Sequence, residues 1–252
     1  MISGVDVQTI SAGITDIGRK RSQNEDNFLI NDRLNLFIVA DGMGGHAGGD
    51  VASAMAVLAI EEAYENSVTD NALGALHGPQ ERLRDAIVMA GTQVYNHSQT
   101  EECFRGMGTT VVAVAVSDKI ATVAHVGDSR CYHWRGDKLT QVTSDHSLVN
   151  EKIEAGLLSL EDAKTHRLKN VITRSLGFDR TVAVDVQSLE MKNADQLLLC
   201  SDGLSGLVSA KEMAEHLSSH SPQSAARALV ELALIRGGED NITVIITQFV
   251  DM

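Results

Sequence analysis

Four aspartates stand where apolar runs meet glycine. They are Asp41-Gly42 after Leu36-Phe-Ile-Val-Ala, Gly127-Asp128 after Ala121-Thr-Val-Ala-His-Val, Asp202-Gly203 after Leu197-Leu-Leu-Cys-Ser, and Asp240 after Gly237-Gly-Glu. Singly, Asp beside Gly suits any turn. Together they say more, because a carboxylate at the end of a buried strand sits on rigid backbone, and several strands can aim several carboxylates at one point. Such a cluster repels itself unless protons or cations neutralise it. Oxygen-only ligands suit hard cations such as Mg²⁺ or Mn²⁺ and not zinc. Two such ions, ~3.5–4 Å apart, can activate water and stabilise both the entering and the leaving oxygen of a phosphoester.

The elements that must position these groups are legible as strands first. Asn27 to Ile30 and Leu34 to Ala40 flank Asn31-Asp32-Arg33; Thr109 to Val116 and Ile120 to Val126 flank Ser117-Asp118-Lys119. Cys131 to Trp134 and Lys138 to Val142 flank Arg135-Gly136-Asp137. Each set reads as a hairpin, so the pairing is expected to be mostly antiparallel. Thr181 to Leu189, Gln196 to Cys200 and Asn241 to Val250 complete the strand set. Helical spacing marks Val51, Met55, Leu58 and Ala59, then Leu83, Ile87, Ala90 and Val94. Ser209-Ala-Lys-Glu212 is a capping box, and Ser221-Pro222 opens a fourth helix. The expected fold is α+β: a four-layer α-β-β-α sandwich of two mostly antiparallel sheets flanked by helix pairs. With two prolines and no Ser/Gly-rich linker, residues 1–252 read as one domain. The polar stretch 146–169 reads as a short-helix, flap-like insertion.

Composition narrows the function classes. The 252 residues are 43% hydrophobic and 22% charged, an ordinary globular balance. A formal net charge of -13 argues against nucleic acid or an anionic membrane as partner. Cys103, Cys131 and Cys200 form no C-x-x-C, and the first residues hold no apolar leader. The expectation is a cytoplasmic monomer with free thiols.

Seven segments in order carry a family resemblance: Arg21-Ser-Gln-Asn-Glu25-Asp26, Asp41-Gly-Met-Gly-Gly-His46, Gly108-Thr-Thr, Gly127-Asp-Ser-Arg130, Ile172-Thr-Arg-Ser-Leu-Gly177, Ser201-Asp-Gly-Leu204 and Asp240-Asn-Ile-Thr243. From about Ser11 to Phe249 the chain resembles bacterial type 2C, metal-dependent protein serine/threonine phosphatases. The resemblance implies two core Mn²⁺ or Mg²⁺ ions and a third, weaker one. Asp41 would bridge two metals with the Gly42 carbonyl on the first; Asp202 and Asp240 would complete the second. Asp128 would join Asp202 on the third ion, and Glu25 would touch the shell through water. Arg21 would grip the substrate phosphate, although the Arg19-Lys20-Arg21 run alone reads as solvated charge. Asn241 would orient Asp240. Where eukaryotic members carry a histidine after Asp-Gly, this chain has Met43, which leaves His46 as proton donor, water-orienting group or helix start. The implied partners are proteins phosphorylated on Ser/Thr and a cognate Ser/Thr kinase, with a dedicated anti-sigma antagonist as the alternative substrate. Two rivals weigh less. Gly42-Met-Gly-Gly-His-Ala47 fits a dinucleotide fingerprint but lacks βαβ units and places Asp41 against the phosphates. A non-catalytic phosphoprotein binder should have lost a carboxylate.

Overall fold

The computed structural model describes residues 8–44, 48–69 and 77–250. The strands are β1 (Gln8–Asp16), β2 (Asp26–Asn31), β3 (Leu36–Met43), β4 (Gly108–Thr109), β5 (Val111–Ser117), β6 (Ile120–Val126), β7 (Arg130–Arg135), β8 (Lys138–Gln141), β9 (Asp185–Glu190), β10 (Gln196–Cys200) and β11 (Ile242–Val250). The helices are α1 (Gly49–Thr69), α2 (Pro79–Ser98), α3 (Leu148–Glu154), α4 (Leu160–Thr165), α5 (Asp202–Ser205), α6 (Ala210–Ser219) and α7 (Pro222–Ile235). One sheet has five strands in the order β1-β11-β10-β7-β8; the other has six, in the order β2-β3-β5-β6-β9 with β4 on β3. The pairings within both are antiparallel.

Three apolar layers separate the four structural ones. Phe37 and Val39 of β3 point between the sheets with Val112, Val114, Leu197, Leu199 and Ile245. Leu36, Ile38 and Ala40 of the same strand point the other way, onto α1 and α2. Leu198, Val244 and Ile246 pack under Met213, Leu217, Leu229 and Ala233 of α6 and α7. A strand buried on both faces has no polar alternation, which is why β3 reads as an unbroken apolar run. Ser209 and Glu212 form the capping box of α6, and Ser221 caps α7 ahead of Pro222.

The structure departs from the sequence expectation in three places. The strand β1 has no counterpart in it: Ile10 and Ile14 stand singly among small and polar residues and most positions are only partly covered, so no apolar run announces it. The buried stripe of α1 is Ala52, Ala56, Ala59 and Ile60, whereas Leu58 is 63% exposed. Small alanines let this helix lie close to β3, and leucine is displaced to the solvent side. Finally, β9 begins at Asp185 and not Thr181, because residues 181–183 line a cavity instead of pairing.

Candidate metal centre

The anticipated carboxylates do converge. Asp41 lies near the end of β3, Asp128 in the β6–β7 turn, Asp202 opens α5 directly after β10, and Asp240 precedes β11. All four line one cavity of about 750 Å³, together with Arg21, Glu25, Gly42 and Met43. Strands of both sheets therefore deliver their ends to a single opening between the layers. His46 lies outside the described residues.

Backbone geometry holds each group in place. The Asp41 N–H donates to Thr110 Oγ1 at 3.1 Å, and its carbonyl accepts from Thr110 N and Thr109 Oγ1, both at 2.9 Å. At Gly42 an added Cβ would meet the Gly49 carbonyl oxygen at 2.1 Å, so the start of α1 packs on a position only glycine can fill. The Gly42 N–H donates to the Glu25 carbonyl at 3.1 Å, which docks the Arg21–Glu25 loop against β3. Asn241 serves that loop too. Its side chain accepts from Glu25 N at 2.8 Å and donates to the Ile17 and Gln23 carbonyls at 2.9 and 3.0 Å. Only its backbone N–H reaches Asp240, at 2.9 Å. Asn241 therefore touches Asp240 through its backbone alone, and its side chain orients the loop.

Asp26 is a participant the sequence reading left unassigned. It pairs with Asp41 across β2–β3 and is 4% exposed. Its Oδ2 accepts from Ser201 Oγ at 2.8 Å and Thr243 Oγ1 at 2.7 Å, while its Oδ1 has no hydrogen-bond partner among the described residues. The signal for it was register: two residues facing each other across a hairpin share a side of the sheet.

The cavity concentrates negative charge. Burial pushes the carboxyls of Asp26 and Asp128 up to about 7, aided by the charges of neighbouring aspartates. Burial also raises Asp41 well above the usual range, and Asp202 with it. Beyond its burial, Asp41 stands in the field of Asp26, Asp202, Asp128 and Asp240. Arg21 brings a cation to the rim, its Nη2 2.7 Å from Asp240 Oδ2. Closely set, under-neutralised oxygen donors with an orphaned buried oxygen fit hard divalent ions.

The cavity's other side is made by residues 170–183, among them Arg174, Phe178 and Val182. The 146–169 stretch contains α3 and α4, and the described residues that line the cavity include none of it. Ser147 caps α3, as its place before Leu148 suggests. No helix is long and apolar enough to cross a membrane among the described residues.

A two-sheet sandwich with helices outside and a carboxylate-lined cleft at the strand ends defines a hydrolase-type metal scaffold. Residues 18–233 match the family model described as Protein phosphatase 2C. The chain is 41% identical over 238 residues to the serine/threonine phosphatase stp of Listeria innocua, covering 93% of each. It is 38% identical over 237 residues to the protein phosphatase PhpP of Streptococcus pneumoniae, covering 92% of this chain and 94% of the relative. Among solved structures, the Mycobacterium tuberculosis serine/threonine phosphatase PstP/Ppp superposes with a TM-score of 0.87 at 33% identity, covering 97% of this chain and 100% of that one. The catalytic domain of PstP in complex with two manganese ions gives a TM-score of 0.84 at 32% identity, with 97% and 99% covered. The chain belongs to the protein phosphatase 2C family.

Proposed function

We propose that this protein is a manganese- or magnesium-dependent protein serine/threonine phosphatase. The observation that carries the reading is the convergence of Asp41, Asp128, Asp202 and Asp240 on one cavity, where burial and mutual repulsion raise Asp41, Asp128 and Asp202. The relatives' activity, and the two manganese ions of PstP, support it.

Asp41 and the Gly42 carbonyl would hold one ion, with Asp41, Asp202 and Asp240 on a second. Asp128 with Asp202 would take a third, more weakly held. When bound, the ions supply Lewis acidity and a nucleophile from water at neutral pH. The chain's own residues do the positioning. Asp26 and Glu25 neighbour the ligand set, and the Asn241 clamp holds the Arg21–Glu25 loop over it. Arg21 presents a planar fork of donors that suits a phosphate. Its present partner Asp240 would turn to a cation, freeing the guanidinium for substrate. We read residues 1–252 as one domain, since the core between the sheets draws from both halves of the chain. The substrates on this reading are phosphoproteins made by a cognate Ser/Thr kinase, and the chain acts as a cytoplasmic monomer.

The test is phosphate release from a phosphothreonine peptide by chelated protein, before and after adding Mn²⁺. Turnover that appears only with the metal is expected. Equal rates in both, or none in either, would sink the proposal.

A further inference from the structure

Away from the carboxylates, His125, His146 and Asp185 place one ligand atom each within 4.8 Å of one another. Three features argue that this cluster is not another metal site. The two imidazoles are stacked, with centroids 4.6 Å apart and planes 18° from parallel, so their lone pairs do not point at a common centre. The His146 Nδ1 is already taken, accepting from Gly127 N at 3.1 Å. The Arg174 guanidinium stands 3.3 Å from the remaining nitrogen, Nε2, where it would repel a cation.

The same contacts fix the ring's tautomer. A backbone N–H can only donate, so Nδ1 carries no proton and neutral His146 bears its hydrogen on Nε2. Burial lowers the affinity of this ring for a second proton. The Nε2–H therefore faces Asp185 Oδ2, 3.3 Å away, and Arg174 Nη1 donates to the other oxygen, Oδ1, at 3.0 Å.

Both backbone groups of Gly127 thus belong to His146, whose own N–H donates to the Gly127 carbonyl at 2.9 Å. Gly127 has φ +103°, and a Cβ there would meet Thr110 Cβ at 2.6 Å. The turn is left-handed, tight and followed at once by Asp128. On its far side Asp145 grips Arg130, which donates from Nε to Oδ1 at 2.9 Å and to Oδ2 at 3.1 Å, and from Nη2 to Oδ2 at 2.6 Å. Adjacent residues 145 and 146 accordingly brace the Asp128 turn from both ends. The His146 carbonyl also accepts from Thr173 N at 2.9 Å, next to Arg174 in the cavity wall.

We infer that His146 is a positioning residue that clamps the Gly127–Asp128 turn and ties it, through Asp185 and Arg174, to the wall of the cavity. The consequence is that the third, weaker ion depends on the imidazole although the imidazole never touches it. This rests on the metal reading given above. Groups that orient a ligand in this way typically govern affinity by ~10–100-fold.

The test separates the two nitrogens. In His146→Asn the amide oxygen sits at the Nδ1 position and can accept from Gly127, but cannot reach Asp185. In His146→Gln the amide reaches the Nε2 position and leaves the Gly127 N–H unpaired. Calorimetric titration of the full chain with Mn²⁺ should show the weakest site reduced about 10-fold or more in His146→Gln and less than about 3-fold in His146→Asn. The tighter sites should keep their affinity in both variants. A His146→Gln protein that melts like wild type and binds all ions equally well would overturn the clamp, as would equal losses in both variants. Nitrogen-15 imidazole spectra of the wild-type protein decide the matter if a variant fails to fold. A bare Nδ1 and protonated Nε2 on His146 are expected, and the opposite tautomer overturns the inference. Wild-type protein that binds no Mn²⁺ would instead defeat the metal reading and leave the tautomer to judge the clamp.

Discussion

The floor and the far wall of the cavity are built in opposite ways. The floor carboxylates project from the ends of β3, β10 and β11 and from the β6–β7 turn, strands whose side chains are almost wholly buried. The wall, residues 170–183, has no helix and no regular strand. It is pinned by isolated bridges, Ser147 to Ile172 and Thr109 to Leu176, and it exposes Val171 at 41% and Phe178 at 71%. Chemistry that depends on ion spacing needs the stiffest backbone available, whereas recognition of a peptide tolerates and uses a looser one.

That contrast can be broken by substitution. Asp41→Ala or Asp202→Ala should lower kcat at least about 100-fold in Mn²⁺, because the electrostatic support of the reacting oxygens goes with the ligand. Either variant keeping more than a tenth of the wild-type rate would show that the floor is not the reactive region. Asp128→Ala should lose the weakest ion in calorimetry and keep two, with a smaller drop in rate. Unchanged stoichiometry and rate would remove Asp128 from the metal set. Arg21→Ala should raise KM for a phosphopeptide more than it lowers kcat, and an unchanged KM would return Arg21 to the solvated surface.

The floor should also write itself into stability. Asp26 and Asp128 titrate near 3.8 in an unfolded chain and about 7 in the fold. Between those values the metal-free native state holds protons that the unfolded state has released. Their contribution to stability is therefore complete below about pH 4 and drains away as pH rises through about 7. Melting of the chelated protein should fall from pH 5 to pH 8, with Mn²⁺ restoring it most at the alkaline end. A flat profile without metal would contradict the buried-carboxyl picture. Smallest of all, Phe178→Ala should change kcat/KM a few-fold on peptides, differing with the residues beside the phosphothreonine. A small aryl phosphate should not register it. Equal effects on both substrates would make Phe178 part of the floor's support and erase the distinction between the two regions.

The chain's order of residues decided a great deal unaided. Apolar runs buried on both faces are conspicuous, so β3, β5, β6, β10 and β11 could be read directly, and the cavity aspartates were visible where such a run stopped (Asp41, Asp128, Asp202) or was about to start (Asp240). A capping box located α6 and a capping serine ahead of proline located α7 for the same reason: the signal is local. Edge strand β1, the true buried face of α1 and the start of β9 were not visible, because each is set by what packs against it. Tertiary structure alone decided three further points. Asp26 joins the site through cross-strand register, Asn241 spends its side chain on the Arg21–Glu25 loop, and His146 reaches the Asp128 turn from 19 residues away. Hydrogen bonds between distant segments leave no periodic trace in a sequence, since nothing about either partner's neighbours depends on the bond until the chain has folded.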